Sequence, residues 1–338
     1  MKVLYAIQGT GNGHLSRARE IVPVLKEYAD VDLLVSGTQS QVSLPWEPDY
    51  YYKGFSFCYN RRGGVSKMKS VRENLSPRLI REIKSLPVEQ YDLVINDFEP
   101  VSAWAARKQG VPCIAMSHQA AYLSDKSPRP FLKDRFGEMV LRRYAPADRA
   151  IGFHFMEYDD YIQTPVIRRG IRELSPSNKG YFMVYLPAYK DHYLGNILAQ
   201  LPKADWVVFS KYTSDPYRLA PNVQILPIKN DEFVRAFQDC EGILTGGGFE
   251  TPAEAKFLGK KVFSIPIKGQ YEQQCNAAAL ARLHCPVASH LSVSLLPELQ
   301  MWIEEDQPPP VLYPDHTRLV IEEALEMSET IRQTQSVG

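Results

Sequence analysis

The sequence predicts an α/β protein of two doubly wound units, each a largely parallel sheet flanked by helices. Three observations predict it. Short apolar runs alternate with helical patterns along both halves, the mark of βαβ units. Two glycine-rich turns, at residues 9–13 and 246–248, each follow an apolar run and lead into a helical pattern. Between the halves, residues 154–180 lose the alternation and carry Pro165, Gly170, Pro176 and Gly180. At 338 residues the chain is long enough for two domains.

In the first half, strands are expected at 2–8, 31–36, 93–96, 113–117 and 150–153. Ile21, Val24 and Leu25 put an apolar stripe on the helix after the first of them. Residues 55–70 have no clean period and read as a loop before a helix that runs through Ile83. The second half repeats the pattern, with strands at 181–186, 206–209, 223–226, 242–244 and 261–265. Gln307-Pro308-Pro309-Pro310 is a stiff polar break. After it, 316–332 reads as an amphipathic helix through Leu319, Ile321, Leu325 and Ile331.

Composition excludes several classes. Hydrophobic content of 44% and charge of 23% are those of an ordinary globular protein. No apolar run reaches the ~20 residues of a membrane span, and the N-terminus reads as a buried strand, not a leader. The five cysteines are scattered and form no CxxC pair, which argues against a metal site or disulfide framework and fits a cytoplasmic protein. Net charge is zero but uneven: residues 1–170 hold 24 Lys and Arg against 19 Asp and Glu. The excess gathers between Arg61 and Lys84. That segment is either a solvated helix face or a patch for anionic lipid or a phosphorylated acceptor.

The stretch from 244 to 280 carries the most chemistry. Gly246, Gly247 and Gly248 can take backbone angles that other residues avoid, and they leave room for a ligand. Phe249 follows, and Thr251-Pro252 opens a helix. A glycine turn feeding a helix N-terminus offers free N–H groups to an anion, usually phosphate. Glu254 lies one turn further and suits a bidentate hydrogen bond to ribose hydroxyls. Gln270, Glu272, Gln273, Gln274 and Asn276 suit sugar hydroxyls.

This stretch resembles the donor half of GT-B glycosyltransferases, near the bacterial peptidoglycan N-acetylglucosaminyltransferase and the UDP-glycosyltransferases. In that pattern a glycine turn precedes a helix bearing the ribose-binding Glu, and an acid-Gln-x-x-Asn-Ala element follows. Glu272-Gln273-Gln274-Cys275-Asn276-Ala277 matches it, with Glu where Asp is commoner. The resemblance implies two Rossmann-like domains facing a cleft. Residues 1–160 would bind the acceptor and 161–313 the nucleotide sugar, and a helix at 314–334 would pack back onto the first domain. It also implies that Ile228 holds the base edge through backbone groups. Phe233 could pack on that base or belong to a helix core, and Lys211 could touch a phosphate or lie on the surface.

The first glycine loop admits three readings. A P-loop would need Lys-Ser/Thr where His14-Leu15 stands. A nicotinamide site would need GxGxxG, but Gly9, Gly11 and Gly13 give GxGxG, and no acid ends the second strand. The third reading is the acceptor loop of GT-B enzymes, which resembles Gly11-Asn12-Gly13-His14 and the residues after it. There His14 would be the general base, kept neutral by the helix N-terminus, unless it only orders the loop. Asp97 ends a strand and would either orient His14 or cap the next helix. His118-Gln119 ends the following strand and resembles an acceptor-cleft segment of the peptidoglycan enzyme.

The expected function is therefore inverting transfer of a sugar from a nucleotide-diphosphate sugar, UDP foremost, to an acceptor hydroxyl. Asp-x-Asp occurs only at Asp30-Val31-Asp32, at the start of the expected second strand and away from the glycine turns, so neither a metal on the diphosphate nor a cofactor is expected. The acceptor is unknown, with lipid-linked or anionic compounds as candidates. No nucleic acid is implied, and the protein would be cytoplasmic, with peripheral membrane contact through the Arg61–Lys84 segment as a further expectation. A nucleotide-sugar 2-epimerase of the same fold and a noncatalytic sugar-nucleotide sensor are the alternatives.

Overall fold

Seven strands form the first sheet of the computed structural model, which describes residues 1–37, 44–54 and 77–336. They are β1 (Lys2–Gln8), β2 (Asp30–Ser36), β3 (Tyr50–Tyr52), β4 (Leu93–Asp97), β5 (Cys113–Ser117), β6 (Arg149–Phe153) and β7 (Ile162–Gln163). All pairings are parallel, in the order β3-β2-β1-β4-β5-β6-β7. The second sheet holds β8 (Tyr181–Tyr185), β9 (Asp205–Ser210), β10 (Tyr217–Ala220), β11 (Val223–Pro227), β12 (Gly242–Thr245) and β13 (Lys261–Ser264). Its order is β10-β11-β9-β8-β12-β13. Only the edge strand β10 runs antiparallel. Each sheet reverses its winding beside its first strand, so ligands are expected at the carboxyl ends of β1 and β4 and of β8 and β12.

Near-continuous apolar runs make these strands because both faces are covered. In β1, Val3 through Ile7 are fully buried. The helix Asn12–Leu25 lays Leu15, Ala18, Ile21, Val22 and Leu25 into the core at helical spacing. In the second domain, Phe182, Trp206, Phe263 and Trp302 form the centre of the packing.

Three strands escape the sequence reading: β3, β7 and β10. Each is short and lies on or near a sheet edge, where little burial selects the residues. β7 pairs with β6, so the first sheet continues past residue 160. The loop expected at 55–70 lies outside the described residues, and the helix expected through Ile83 is Pro77–Ser85. Of the basic segment, only Arg78, Arg81 and Lys84 are described.

The chain passes between the domains twice. The first passage follows β7 and includes the short helix Arg169–Arg172; the second leads to the last helix, Thr317–Ser336. Arg172 ties the two together, donating to the carbonyls of Tyr313 at 2.7 Å and Pro314 at 3.0 Å. The last helix packs on the first domain. Tyr28 donates to Glu322 at 2.5 Å, and Arg318 donates to Glu27 at 2.7 Å.

Candidate active site

The carboxyl ends of the two sheets face each other across a cavity of about 780 Å3. Gly11, Asn12, Gly13, His14, His118 and Gln119 line it from the first domain. Gly248, Phe249, Thr251, Glu254, Ile228, Glu272 and Gln273 line it from the second. Asp97 lies beneath His14, fully buried.

The loop after β1 is shaped by Gly11, whose φ of 125° caps the helix Asn12–Leu25 in a conformation that disfavours side chains. His14 therefore sits in the first helical turn. Its Nδ1 lies 2.8 Å from Asp97 Oδ1. Asp97 is aimed by the next residue: Phe98 adopts φ 56°, a left-handed conformation that turns the chain sharply. The capping role falls to Glu99, which accepts from the N–H groups of Val101 and Ser102 at 2.7 and 2.6 Å. With Asp97 ionised, Nδ1–H donates to it and leaves Nε2 as the acceptor. Gln119 occupies that position, its amide nitrogen 3.4 Å from His14 Nε2 and 3.1 Å from Glu272 Oε2. Among the described residues, the buried carbonyl oxygen of Gln119 has no hydrogen-bond partner.

The electrostatics correct one expectation. Burial and Arg17 lower the proton affinity of His14, but Asp97 and Glu250 outweigh them and the pKa is raised. The helix N-terminus does not decide the direction, because a carboxylate at hydrogen-bond distance acts more strongly than a helix-end partial charge. Burial alone would raise the Asp97 carboxyl, yet Arg17 and His14 hold it below the usual range.

His118 braces the two domains. Its Nδ1 lies 2.7 Å from the Phe153 carbonyl and its Nε2 2.7 Å from Asn276 Oδ1, and its ring stacks on Phe249 at 3.9 Å. Burial, the largest influence, lowers its pKa despite nearby Glu272 and Glu250. Asn276 also accepts from Tyr122 and donates to the Gly247 carbonyl at 2.9 Å.

On the donor side the glycine turn differs from expectation in two ways. None of Gly246, Gly247 and Gly248 has a positive φ, so space rather than backbone freedom is what they provide. A Cβ on Gly247 would lie 2.6 Å from the Gln273 carbonyl, while Gly248 opens onto the cavity. The Gly247 N–H is not free: it donates to Gln273 Oε1 at 3.2 Å, which also accepts from Ile267 N–H at 2.8 Å. The helix that follows is Glu250–Phe257, one residue earlier than read. Glu254 is paired with Arg168. Phe233 and Lys211 both line the cavity, and Phe233 also packs on Phe209 and Tyr185.

The sequence model of glycosyl transferase family 1 matches residues 1–299. The chain belongs to that family. As a family 1 member it is a glycosyltransferase enzyme. Its fold is GT-B. It is similar to MurG of Acinetobacter baumannii, with 14% identity, TM-score 0.56 and coverage of 98% of this chain and 99% of that one. It is also similar to a Polygonum tinctorium UDP-glucosyltransferase capable of glucosylating indoxyl (14%, TM-score 0.59, 97% and 93%). A third is Phytolacca americana UGT2, complexed with UDP-2fluoro-glucose and pterostilbene (13%, TM-score 0.56, 98% and 94%). No curated protein matches the chain.

In this family 1 enzyme, sequence reading missed Arg168, Tyr185 and Glu250, and took Arg17 only as a residue through which His14 could order the loop. Arg17 carried a signal in its i+3 spacing from His14. Glu250 stood beside the glycine turn. Arg168 lay in the stretch read as linker, and the hydrogen bond between Tyr185 and Asn12 joins residues from different domains. Among the described residues, no three His, Cys, Asp or Glu side chains are grouped to hold a metal ion. Among the described residues, no helix is long and apolar enough to cross a membrane.

Proposed function

We propose that this glycosyltransferase moves a sugar from a nucleotide-diphosphate sugar to an acceptor hydroxyl by direct, inverting displacement, with no metal on the diphosphate and no cofactor. The observation that carries it is the His14–Asp97 pair on one wall of a cavity whose other wall is a glycine turn, a helix N-terminus and Glu254. The base half supplies proton abstraction and the other half suits a nucleotide diphosphate.

In this reading the acceptor hydroxyl takes the place of the Gln119 amide at His14 Nε2. His14 removes the proton as the oxygen attacks the anomeric carbon. Asp97 stabilises the imidazolium that forms. The bond from the anomeric carbon to the diphosphate breaks with its electron pair on the diphosphate oxygen. The Gly248 turn and the helix start at Glu250 face the developing charge with partial positive charge. Attack opposite the leaving group inverts the anomeric centre. Two fold neighbours are named for UDP-sugars, which supports uridine as the base. A lipid-linked or anionic acceptor and contact of the Arg61–Lys84 segment with a membrane stay part of this proposal.

The test is a thermal-shift screen of nucleotide sugars, followed by turnover of the best binder with candidate acceptors. UDP-sugar binding and an inverted product support the reading. Release of a 2-epimer without acceptor would replace it.

A further inference from the structure

The displacement above leaves one buried charge unused. Arg17 lies one helical turn after His14, and its side chain is 2% exposed. Nε and Nη2 donate to Asp97 at 3.1 and 2.7 Å, and Nη1 donates to Glu250 Oε1 at 2.8 Å. The guanidinium also lies 5.7 Å from the centre of the Phe153 ring. Arg17 and Asp97 belong to the first domain, whereas Glu250 starts a helix of the second. Glu250 can approach because residue 13 is glycine: a Cβ there would overlap its carboxylate.

The charges form a set. Asp97 and Glu250 are negative, Arg17 is positive, and a neutral His14 leaves the set one positive charge short. Proton uptake by His14 completes it. Without Glu250, Arg17 alone would neutralise Asp97 and an imidazolium would gain less.

We propose that Arg17 and Glu250 are positioning residues that complete the His14–Asp97 base only when the two domains are closed on each other. The inference rests on His14 being the base. Glu250 comes from the domain that would hold the donor, so base and donor site are brought to readiness together. The charged and titratable groups facing His14 are Asp97 from β4, Arg17 from its own helix and Glu250 from across the cleft. Glu272 stands behind Gln119, and Tyr5 lies beside Asp97 and Arg17. Of these, Glu250 raises the proton affinity of His14 and Arg17 lowers it.

The test reads His14 directly. Histidine-labelled whole protein is titrated by NMR, with the His14 signal identified by its loss in His14→Gln. Glu250→Gln should lower the His14 midpoint. It should also lower kcat about tenfold, with donor Kd changed less than about twofold. Arg17→Gln should lose more turnover, and Arg17→Lys should restore part of it. A parental midpoint in Glu250→Gln overturns the inference, even if kcat falls, because a merely structural contact would leave the titration unmoved. Parental turnover in His14→Gln overturns the base reading itself, and the inference with it. A dead His14→Gln beside a parental Glu250→Gln midpoint overturns the inference alone.

Discussion

Arg168 grips both carboxylate oxygens of Glu254, with Nε 2.5 Å from Oε1 and Nη2 2.6 Å from Oε2. The fork fixes the carboxylate plane. Each oxygen retains acceptor capacity for a hydroxyl. Both residues line the cavity, Arg168 from the interdomain passage and Glu254 from the helix Glu250–Phe257.

Glu254→Ala should therefore weaken nucleotide-sugar binding by about 1.5–3 kcal/mol, the range for hydrogen bonds to a charged group. Arg168→Ala should weaken it less, because the carboxylate remains. Calorimetry checks both, and unchanged affinity in Glu254→Ala rejects the ribose assignment.

His14→Ala should leave donor affinity nearly unchanged and reduce turnover roughly 100- to 10,000-fold, the usual contribution of a general base. Asp97→Asn should fall between that variant and the parent. Turnover at saturating donor with a confirmed acceptor decides. Near-parental rates in His14→Ala would make the residue structural.

The pH profile has a definite sign. A base must be unprotonated, so kcat/KM should rise with pH through the His14 pKa. That pKa is raised, so the limb should lie above the ordinary ~6.5 of a free histidine. Asp97→Asn removes the charge that raises it and should move the limb to lower pH. A limb below the ordinary value in the parent enzyme would contradict the electrostatics described.

Chelation should change nothing. Donor binding and transfer should both survive EDTA if the diphosphate is held by backbone N–H groups and a helix N-terminus. Activity lost to EDTA and regained with magnesium would reject the displacement as written.

Asn276→Ala should lower stability by about 1–3 kcal/mol, because His118, Tyr122 and the Gly247 carbonyl all lose a buried partner. A melting scan should show Tm falling by several degrees. An unchanged Tm would mean that the two walls hold together without this amide.

The sequence made β1, β4, β8 and β12 legible because buried parallel strands leave unbroken apolar runs. Both glycine turns were legible because glycine stands where a Cβ would meet neighbouring chain, as at Gly9, Gly13 and Gly247. β10 was not, since an edge strand reading Tyr-Arg-Leu-Ala bears no mark of its pairing. The Asp97 contact could be posed as one of two alternatives, and only coordinates show Glu99 in the capping place. The Arg17–Glu250 pair, 233 positions apart, leaves no local trace. For the same reason the direction of the His14 pKa was misread: the helix end is visible in sequence, the opposing carboxylates are not.

The two interdomain passages, fastened to each other by Arg172, give the halves a double-stranded pivot. A single connection would leave the two lobes free to twist about it; two connections fastened to each other constrain that twist. The Arg17–Glu250 contact bridges the halves that this pivot joins. Severing one strand with a protease would leave the lobes tethered by the other but loosen that alignment, so a nicked enzyme should keep its mass in native gels while losing rate.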